Sequence, residues 1–386
     1  MTTMTNASSL IQALPREYYT DPGIYEADKR RVFESSWVCT GRADAIEKPG
    51  QFLRVTLGDE SVLLVRGRDR KIRALRNLCR HRGAQLCTEE TGSFDKAIRC
   101  MYHAWTYGLD GRLIAAPNMS DMPDLVKDDY GLHPVHAEEW LGYVWVNLAD
   151  KAEPLHSQLA PQIMERLGNL DTLDRYGIEK LGVVKTIVYD VESNWKAIIE
   201  NFLECYHCAT VHPELSAALP QIATGYGGFT GGVGGGVSLA EDIEGFSLSG
   251  KATSKRLPGL LPEDDRIFYG MVLRPNVILW LVPDHVAVVR LEPQAPGQTR
   301  VTVDWLYDRE AMAAEGFDPT DAIELLDLTN RQDFEACERC QMGMKSSAYQ
   351  AVFVPAEHPL RAFQDWYLEE LGHSAEAVPP ASAFVS

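Results

Sequence analysis

Two stretches, NLCRHRGAQL (77–86) and CMYHAWTYGLDGRL (100–113), decide how this chain is read. Each carries one cysteine and one histidine at metal-ligand spacing: Cys79-x-His81 and, with residues 82–99 between, Cys100-x2-His103. By composition each of these two spacings arises by chance roughly 0.2 times in the chain, so the two together beside tight turns point to a metal. Two thiolates and two imidazoles can hold zinc. They can equally hold a [2Fe–2S] cluster with one iron on sulfur and the other on nitrogen.

The texture around both stretches is β. FLRVTLGDESVLLVRGRDRKIRAL (52–75) reads as strands around Gly58-Asp59-Glu60 and Gly67-Arg68-Asp69. WTYGLDGRLIAA (105–116) reads as a hairpin on Asp110-Gly111, and YVWVNL (143–148) closes the run. Residues 38–150 are therefore a small β domain, preceded by a helical lead-in at 15–37. Further on, a strand at 185–191 runs into a helix from Trp195 to about Val211. Three antiparallel strands are expected across 268–308, then helices at about 319–345 and 358–371. Eight of the twelve residues from Gly225 to Gly236 are glycine, a linker or a lid.

Lys and Arg total 37 against 55 Asp and Glu, a formal charge of −18 over 386 residues. That balance argues against nucleic acid or an anionic membrane as the main partner, since both need a cationic face. The longest apolar run, 277–282, is far below a membrane span. Residues 1–13 show no secretory signal, so we expect a cytoplasmic chain whose eight cysteines stay reduced.

A second constellation lies in NWKAIIENFLECYHCATVHPEL (194–215). On a continuous helix Glu200, Glu204 and His207 share one face. His212 falls about 140° away from His207, and Pro213 ends the helix so that its imidazole can swing back. Two imidazoles plus a distant carboxylate make a facial triad for non-haem Fe(II). NRQDFEACERCQMG (330–343) offers Asp333 as that carboxylate, with Asp327 and Glu335 as alternatives. A decoy sits beside it: Cys205-x2-Cys208 and Cys337-x2-Cys340 mimic a four-cysteine zinc site, yet each pair falls in an apparent helix with no turn residue between.

The two loops closely resemble the cluster-binding loops of Rieske ferredoxin-like domains. Gly83 would let the backbone approach the sulfides, Trp105 and Tyr107 resemble the aromatic cover, and Ala104 departs from the usual Gly. With ECYHC, HPEL and CERCQMGMKSSAY (337–349), the chain resembles the oxygenase (alpha) component of Rieske non-haem iron oxygenases. The branch it resembles most acts on choline, carnitine and glycine betaine, and carries Glu at the position of Glu204 where most aromatic-ring dioxygenases have Asp.

The resemblance implies an α+β fold: an all-β Rieske [2Fe–2S] domain (38–150) inserted in or preceding a helix-grip catalytic domain with an antiparallel sheet (1–37 and 151–386). It implies that Cys79, His81, Cys100 and His103 hold the cluster and that His207, His212 and Asp333 hold Fe(II), with Asn201 near the iron. Glu204 would bridge subunits of a homotrimer, joining His103 of the partner subunit to His207 and gating the electron. No dinucleotide fingerprint is present, so NAD(P)H electrons would arrive through a separate flavin or ferredoxin-type reductase. The activity implied is O2-dependent hydroxylation of an N-methyl group, most simply glycine betaine to dimethylglycine and formaldehyde. The alternatives are an aromatic-ring hydroxylating dioxygenase and a pure electron carrier with a degenerate second domain. A cationic substrate would want aromatic faces, drawn from Trp280, Tyr269, Trp305, Tyr307 and Phe202.

Overall fold

The computed structural model describes residues 11–119, 122, 124, 126–225 and 235–373, so the glycine-rich stretch lies almost wholly outside the described residues. The chain divides into two compact units, one of residues 1–28 with 159–386 and the other of residues 29–158. These divisions fall outside the 37/38 and 150/151 boundaries suggested by composition. The reason is Trp37, whose indole Nε1 donates to Glu153 O (2.8 Å) and whose backbone N donates to Gln158 Oε1 (2.8 Å). These bonds join the two flanks to each other, and Lys29 Nζ ties the leading flank to Asp59 Oδ1 (2.7 Å) in the Gly58-Asp59 turn.

The N-terminal piece supplies β1 (Ile11–Gln12), α1 (Glu17–Thr20) and α2 (Pro22–Asp28). The smaller unit follows, with β2 (Val38–Arg42), β3 (Gln51–Leu57), β4 (Glu60–Arg66), β5 (Ile72–Arg76) and β6 (Thr91–Ser93). It continues through β7 (Ile98–Arg99), β8 (Thr106–Tyr107), β9 (Leu113–Ala115), β10 (Pro134–Trp140) and β11 (Tyr143–Asn147). A seven-stranded antiparallel sheet runs β2-β11-β10-β5-β4-β3-β6, and a three-stranded one runs β7-β8-β9. The Asp110-Gly111 turn forms as its sequence demands, with Gly111 at φ +86. Leu63, Val65, Leu75, Ile98, Trp105 and Tyr107 share one core with Cys79 and Cys100. The two cysteines are thus held by packing before any metal is considered.

Helix α3 (Leu155–Leu167) begins in the smaller unit and continues into the larger, where α4 (Asp171–Asp174) precedes β12 (Gly182–Val191). Then come α5 (Trp195–Phe202), α6 (Cys208–Val211), α7 (Pro213–Ala218) and β13 (Val237–Ser238). Next are β14 (Ile267–Leu273), β15 (Val277–Leu281), β16 (Val286–Ala295) and β17 (Gln298–Tyr307). The chain closes with α8 (Arg309–Met312), α9 (Thr320–Met344), β18 (Val352–Phe353) and α10 (His358–Glu370). The six-stranded antiparallel sheet runs β12-β17-β16-β15-β14-β13. Residues 268–308 make four strands rather than the expected three, because each of the three turns there reverses the chain. β15 is buried along its whole length, since both of its faces are covered.

Helix α9 is fastened to this sheet through Tyr189 on β12. Its hydroxyl donates to Asp327 Oδ1 (2.5 Å), and its ring meets Phe334 at 5.1 Å. The start of α5 is tied to α9 as well: Gln341 Oε1 accepts from Asn194 N (2.9 Å) and Glu338 Oε1 from Glu192 N (3.0 Å). Asn194 also caps α5, accepting from Lys196 N (2.9 Å). The N-terminal piece is held by buried polar groups. Asp28 accepts from Lys196 Nζ, from Trp195 Nε1 (3.0 Å) and from Tyr367 OH (2.6 Å). Such a buried charge is tolerable only when paired and hydrogen-bonded.

Candidate metal centres

The two cluster loops fold alike. Cys79 N donates to Ala84 O and Cys100 N to Trp105 O, both at 2.8 Å, while Gly83 N returns to Cys79 O (3.0 Å) and Ala104 N to Cys100 O (3.1 Å). Gly83 at φ +70 and Ala104 at φ +57 therefore occupy equivalent left-handed positions, each four residues after its cysteine. Glycine adopts that conformation without strain, whereas alanine carries a steric cost. Cys79 and Cys100 are buried; His81 and His103 are exposed. The two imidazoles lie 4.7 Å apart, centroid to centroid, and His81 stacks on Trp105 at 5.1 Å. This donor set, two buried cysteines and two exposed histidines, fits a [2Fe–2S] cluster.

Tyr107 completes the setting. Its buried hydroxyl accepts from Arg80 N (3.0 Å) and stands 3.3 Å from Cys79 Sγ, leaving its proton to point at the sulfur. Burial, reinforced by Cys79, pushes the phenol above its ordinary range, so it remains a donor.

In the larger unit the expected helix from Trp195 to Val211 is broken. α5 stops at Phe202, and α6 begins only at Cys208. The cause is Glu204: its Oε2 accepts from the backbone N of Tyr206 and of His207 (3.3 Å), trapping a turn that a helix would not allow. Glu200, Glu204 and His207 therefore do not share a helical face. Glu200 points instead to Tyr19 OH (2.8 Å) and Gln364 Nε2 (2.8 Å). Glu204 Oε1 engages His207 Nδ1. Beyond α6, His212 takes a non-helical conformation (φ −123, ψ 71) ahead of Pro213, which opens α7.

His207, His212 and Asp333 converge, with their ligand atoms all within 4.8 Å of one another. Asp333 Oδ1 lies 3.2 Å from His207 Nε2 and 2.8 Å from His212 Nε2. Asn201 Nδ2 is 3.4 Å from His207 Nε2. The alternatives fall elsewhere: Asp327 is engaged by Tyr189 and Arg331, and Glu335 by Arg339. The four cysteines do not form a four-ligand cluster among the described residues. Burial alone would raise the Asp333 carboxyl, but the two histidines hold it below the usual range. Burial opposes the charge on His207, yet Asp333 and Glu204 together push its imidazole up to about 10. Two nitrogens and one oxygen on one side of a small space suit non-haem Fe(II).

That space has room for only about 30 Å³ and is lined by Phe202, Phe268, Trp280, Leu215, Leu219 and Ile222 around the triad. Phe202 and Phe268 pack against Trp280 at 5.5 and 5.0 Å. Two of the five aromatic candidates, Phe202 and Trp280, thus line it. Tyr269, Trp305 and Tyr307 do not, and Phe268 was missed. Strand alternation carries the signal: Gly270 pairs with Trp280, so Phe268, two residues away, shares that face and Tyr269 takes the other.

Comparison with known proteins fits both sites. The family description "Rieske [2Fe-2S] domain" matches residues 36–127, and "Ring hydroxylating alpha subunit (catalytic domain)" matches residues 178–373. The chain is 32% identical to the glycine betaine monooxygenase oxygenase subunit of Chromohalobacter salexigens, covering 96% of this chain and 88% of that one. It is 29% identical to the carnitine monooxygenase oxygenase subunit of Escherichia coli strain K12, covering 87% and 85%. A quaternary ammonium Rieske monooxygenase crystallised with L-carnitine has the same fold (TM-score 0.71, 22% identity, 94% and 96% covered). So does naphthalene 1,2-dioxygenase from Rhodococcus sp. (TM-score 0.72, 19% identity, 92% and 94% covered). With a cluster domain, a triad domain and full-length relatives in agreement, this chain belongs to the Rieske non-haem iron oxygenases, in the group of quaternary-ammonium monooxygenase oxygenase subunits.

Proposed function

We propose that the chain hydroxylates an N-methyl group of a small quaternary ammonium compound, glycine betaine first among them, releasing formaldehyde and the demethylated amine. Cys79, His81, Cys100 and His103 would hold the [2Fe–2S] cluster and His207, His212 and Asp333 the Fe(II). When bound, these groups supply one-electron transfer and O2 activation. One observation carries the substrate class: the pocket beside the triad offers aromatic faces from Phe202, Phe268 and Trp280, with no Lys or Arg among its described lining residues. Such a lining favours a cation whose surface is methyl groups. A neutral arene would also gain from the rings, so the 32% identity to a glycine betaine monooxygenase oxygenase subunit is what ranks the cation first. The space must widen to admit a trimethylammonium group, and Leu215, Leu219 and Ile222 are the apolar side chains free of hydrogen-bonding constraint that can give way.

Glu204 would carry the electron between protomers of a homotrimer. A carboxylate has about four acceptor sites. His207 Nδ1 and the backbone N of Tyr206 and of His207 take three, which leaves one for His103 of the partner subunit. The test is substrate-dependent oxygen uptake with a surrogate reductase and a panel of N-methylated compounds, followed by formaldehyde assay. Stoichiometric formaldehyde from glycine betaine is expected. A cis-diol from an arene, with no turnover of any N-methylated compound, would overturn the assignment.

A further inference from the structure

We propose that Gln332 is a positioning residue that sets the tautomer and direction of His212, with Glu214 setting the direction of Gln332. We rest this on the triad named under the proposed function and extend it outward by two residues.

His212 is almost fully buried, at 1% exposure, and both of its ring nitrogens are engaged by consecutive residues of α9. Nε2 lies 2.8 Å from Asp333 Oδ1, and Nδ1 lies 2.8 Å from Gln332 Oε1. A side-chain amide can present either oxygen or nitrogen, so Gln332 alone would not decide which His212 nitrogen carries the proton. Glu214 decides it. The Glu214 carboxylate only accepts, and Gln332 Nε2 reaches its Oε2 at 3.4 Å. The amide must therefore turn its NH2 toward Glu214 and its oxygen toward the imidazole. Nδ1 then holds the hydrogen, and the Nε2 lone pair is left for a metal beside Asp333.

The two imidazoles of the triad are thereby made unequal. His207 Nδ1 faces a carboxylate, Glu204, whereas His212 Nδ1 faces a neutral amide. A carboxylate partner increases the basicity of the ligating nitrogen more than an amide does. Gln332 therefore orients His212 without adding charge to it. The chain also has a simple geometry: Glu214 stands two residues after His212, in the first turn of α7, so one short segment supplies both the imidazole and the group that fixes its partner.

The experiment uses the full-length, cluster-loaded protein stripped of mononuclear iron. Fe(II) is titrated back anaerobically, and the nitric oxide adduct is examined by electron paramagnetic resonance. Gln332→Leu, which keeps the bulk but not the acceptor, should weaken Fe(II) binding about 10–100-fold and shift the rhombicity of the adduct. Gln332→Glu, an acceptor in either orientation though it now faces the Glu214 carboxylate, should bind Fe(II) more tightly than Gln332→Leu does. Glu214→Gln, which frees the Gln332 amide to turn over, should weaken binding less than Gln332→Leu does. An intact Rieske absorption spectrum in each variant controls for folding. Wild-type affinity and an unchanged adduct spectrum in Gln332→Leu would refute the role of Gln332, as would failure of Gln332→Glu to bind better than Gln332→Leu. Wild-type behaviour of Glu214→Gln would refute the anchoring step. Failure of the wild-type chain itself to take up Fe(II) would refute the triad instead, a result separable from all the others.

Discussion

Replacing Tyr107 by Phe removes one oxygen atom from the cluster setting and leaves the ring. The ring is fully buried in the core around Cys79 and Cys100, so the shape is kept and packing should not change. What is lost is the O–H donor 3.3 Å from Cys79 Sγ. Reduction adds one negative charge to a cluster held by that sulfur, and a hydrogen bond strengthens when its acceptor gains charge. Neutral bonds contribute about 1 kcal/mol and charge-assisted ones about 2, a difference of about 1 kcal/mol in favour of the reduced state. For one electron, 1.4 kcal/mol corresponds to about 59 mV, so the variant's midpoint potential should fall by about 40 mV. The same change leaves Arg80 N without its acceptor, at about 1 kcal/mol of stability. The assay is a mediated redox titration of the loaded protein followed through the Rieske absorption. A fully loaded variant with an unaltered potential would show that the hydroxyl does not serve the sulfur.

Four further outcomes can be checked directly. Ala104→Gly relieves the left-handed strain at φ +57 and should stabilise the loaded protein by about 1 kcal/mol in denaturant titrations; a loss of stability would mean the methyl is needed for packing. Burial raises Glu200 from 4.5 to about 7 against the opposing bonds from Gln364 and Tyr19. Between those pH values the folded chain keeps a proton that the unfolded chain has released, so stability should fall as pH rises through the window, by up to about 3 kcal/mol, and Glu200→Gln should flatten the profile. Glu204→Ala also removes the partner of His207 Nδ1, so the variant is assayed with its cluster intact and Fe(II) in excess; substrate-coupled turnover should still be lost, and normal turnover would remove its bridging role. Phe268→Ala should raise the KM for a trimethylammonium substrate up to about tenfold with little change for a tertiary amine, and equal effects on both would argue against a cation–π contact.

Much of the fold was written in local chemistry. Asp110-Gly111 specifies its hairpin, Asn194 starts α5, and Pro213 frees His212, each through a backbone preference that needs no distant partner. The triad was legible for a related reason: His207 and His212 are close in sequence, and Asp333 sits in a motif. What could not be read depends on tertiary partners. The break after Phe202 is imposed by Glu204 bonding to the following backbone, in a stretch whose residues otherwise favour a continuous helix. Phe268 lines the pocket and Tyr269 does not because of the β14–β15 register, and a one-residue shift would exchange them. The compact unit around the β strands takes in residues 29–37 because of partners far along the chain, Asp59 for Lys29 and Glu153 for Trp37.

The buried pairing of Asp28 with Lys196 spans 168 residues, and everything between residues 29 and 158 is enclosed within that span. At about 5–20 residues per second of synthesis, Asp28 waits roughly 10–30 s for its counter-charge to emerge. All of the cluster-bearing unit is out of the ribosome before then. The order of translation thus gives the cluster-bearing unit time to fold first, while the lobe that carries His207, His212 and Asp333 is still missing the cation that locks its own beginning in place.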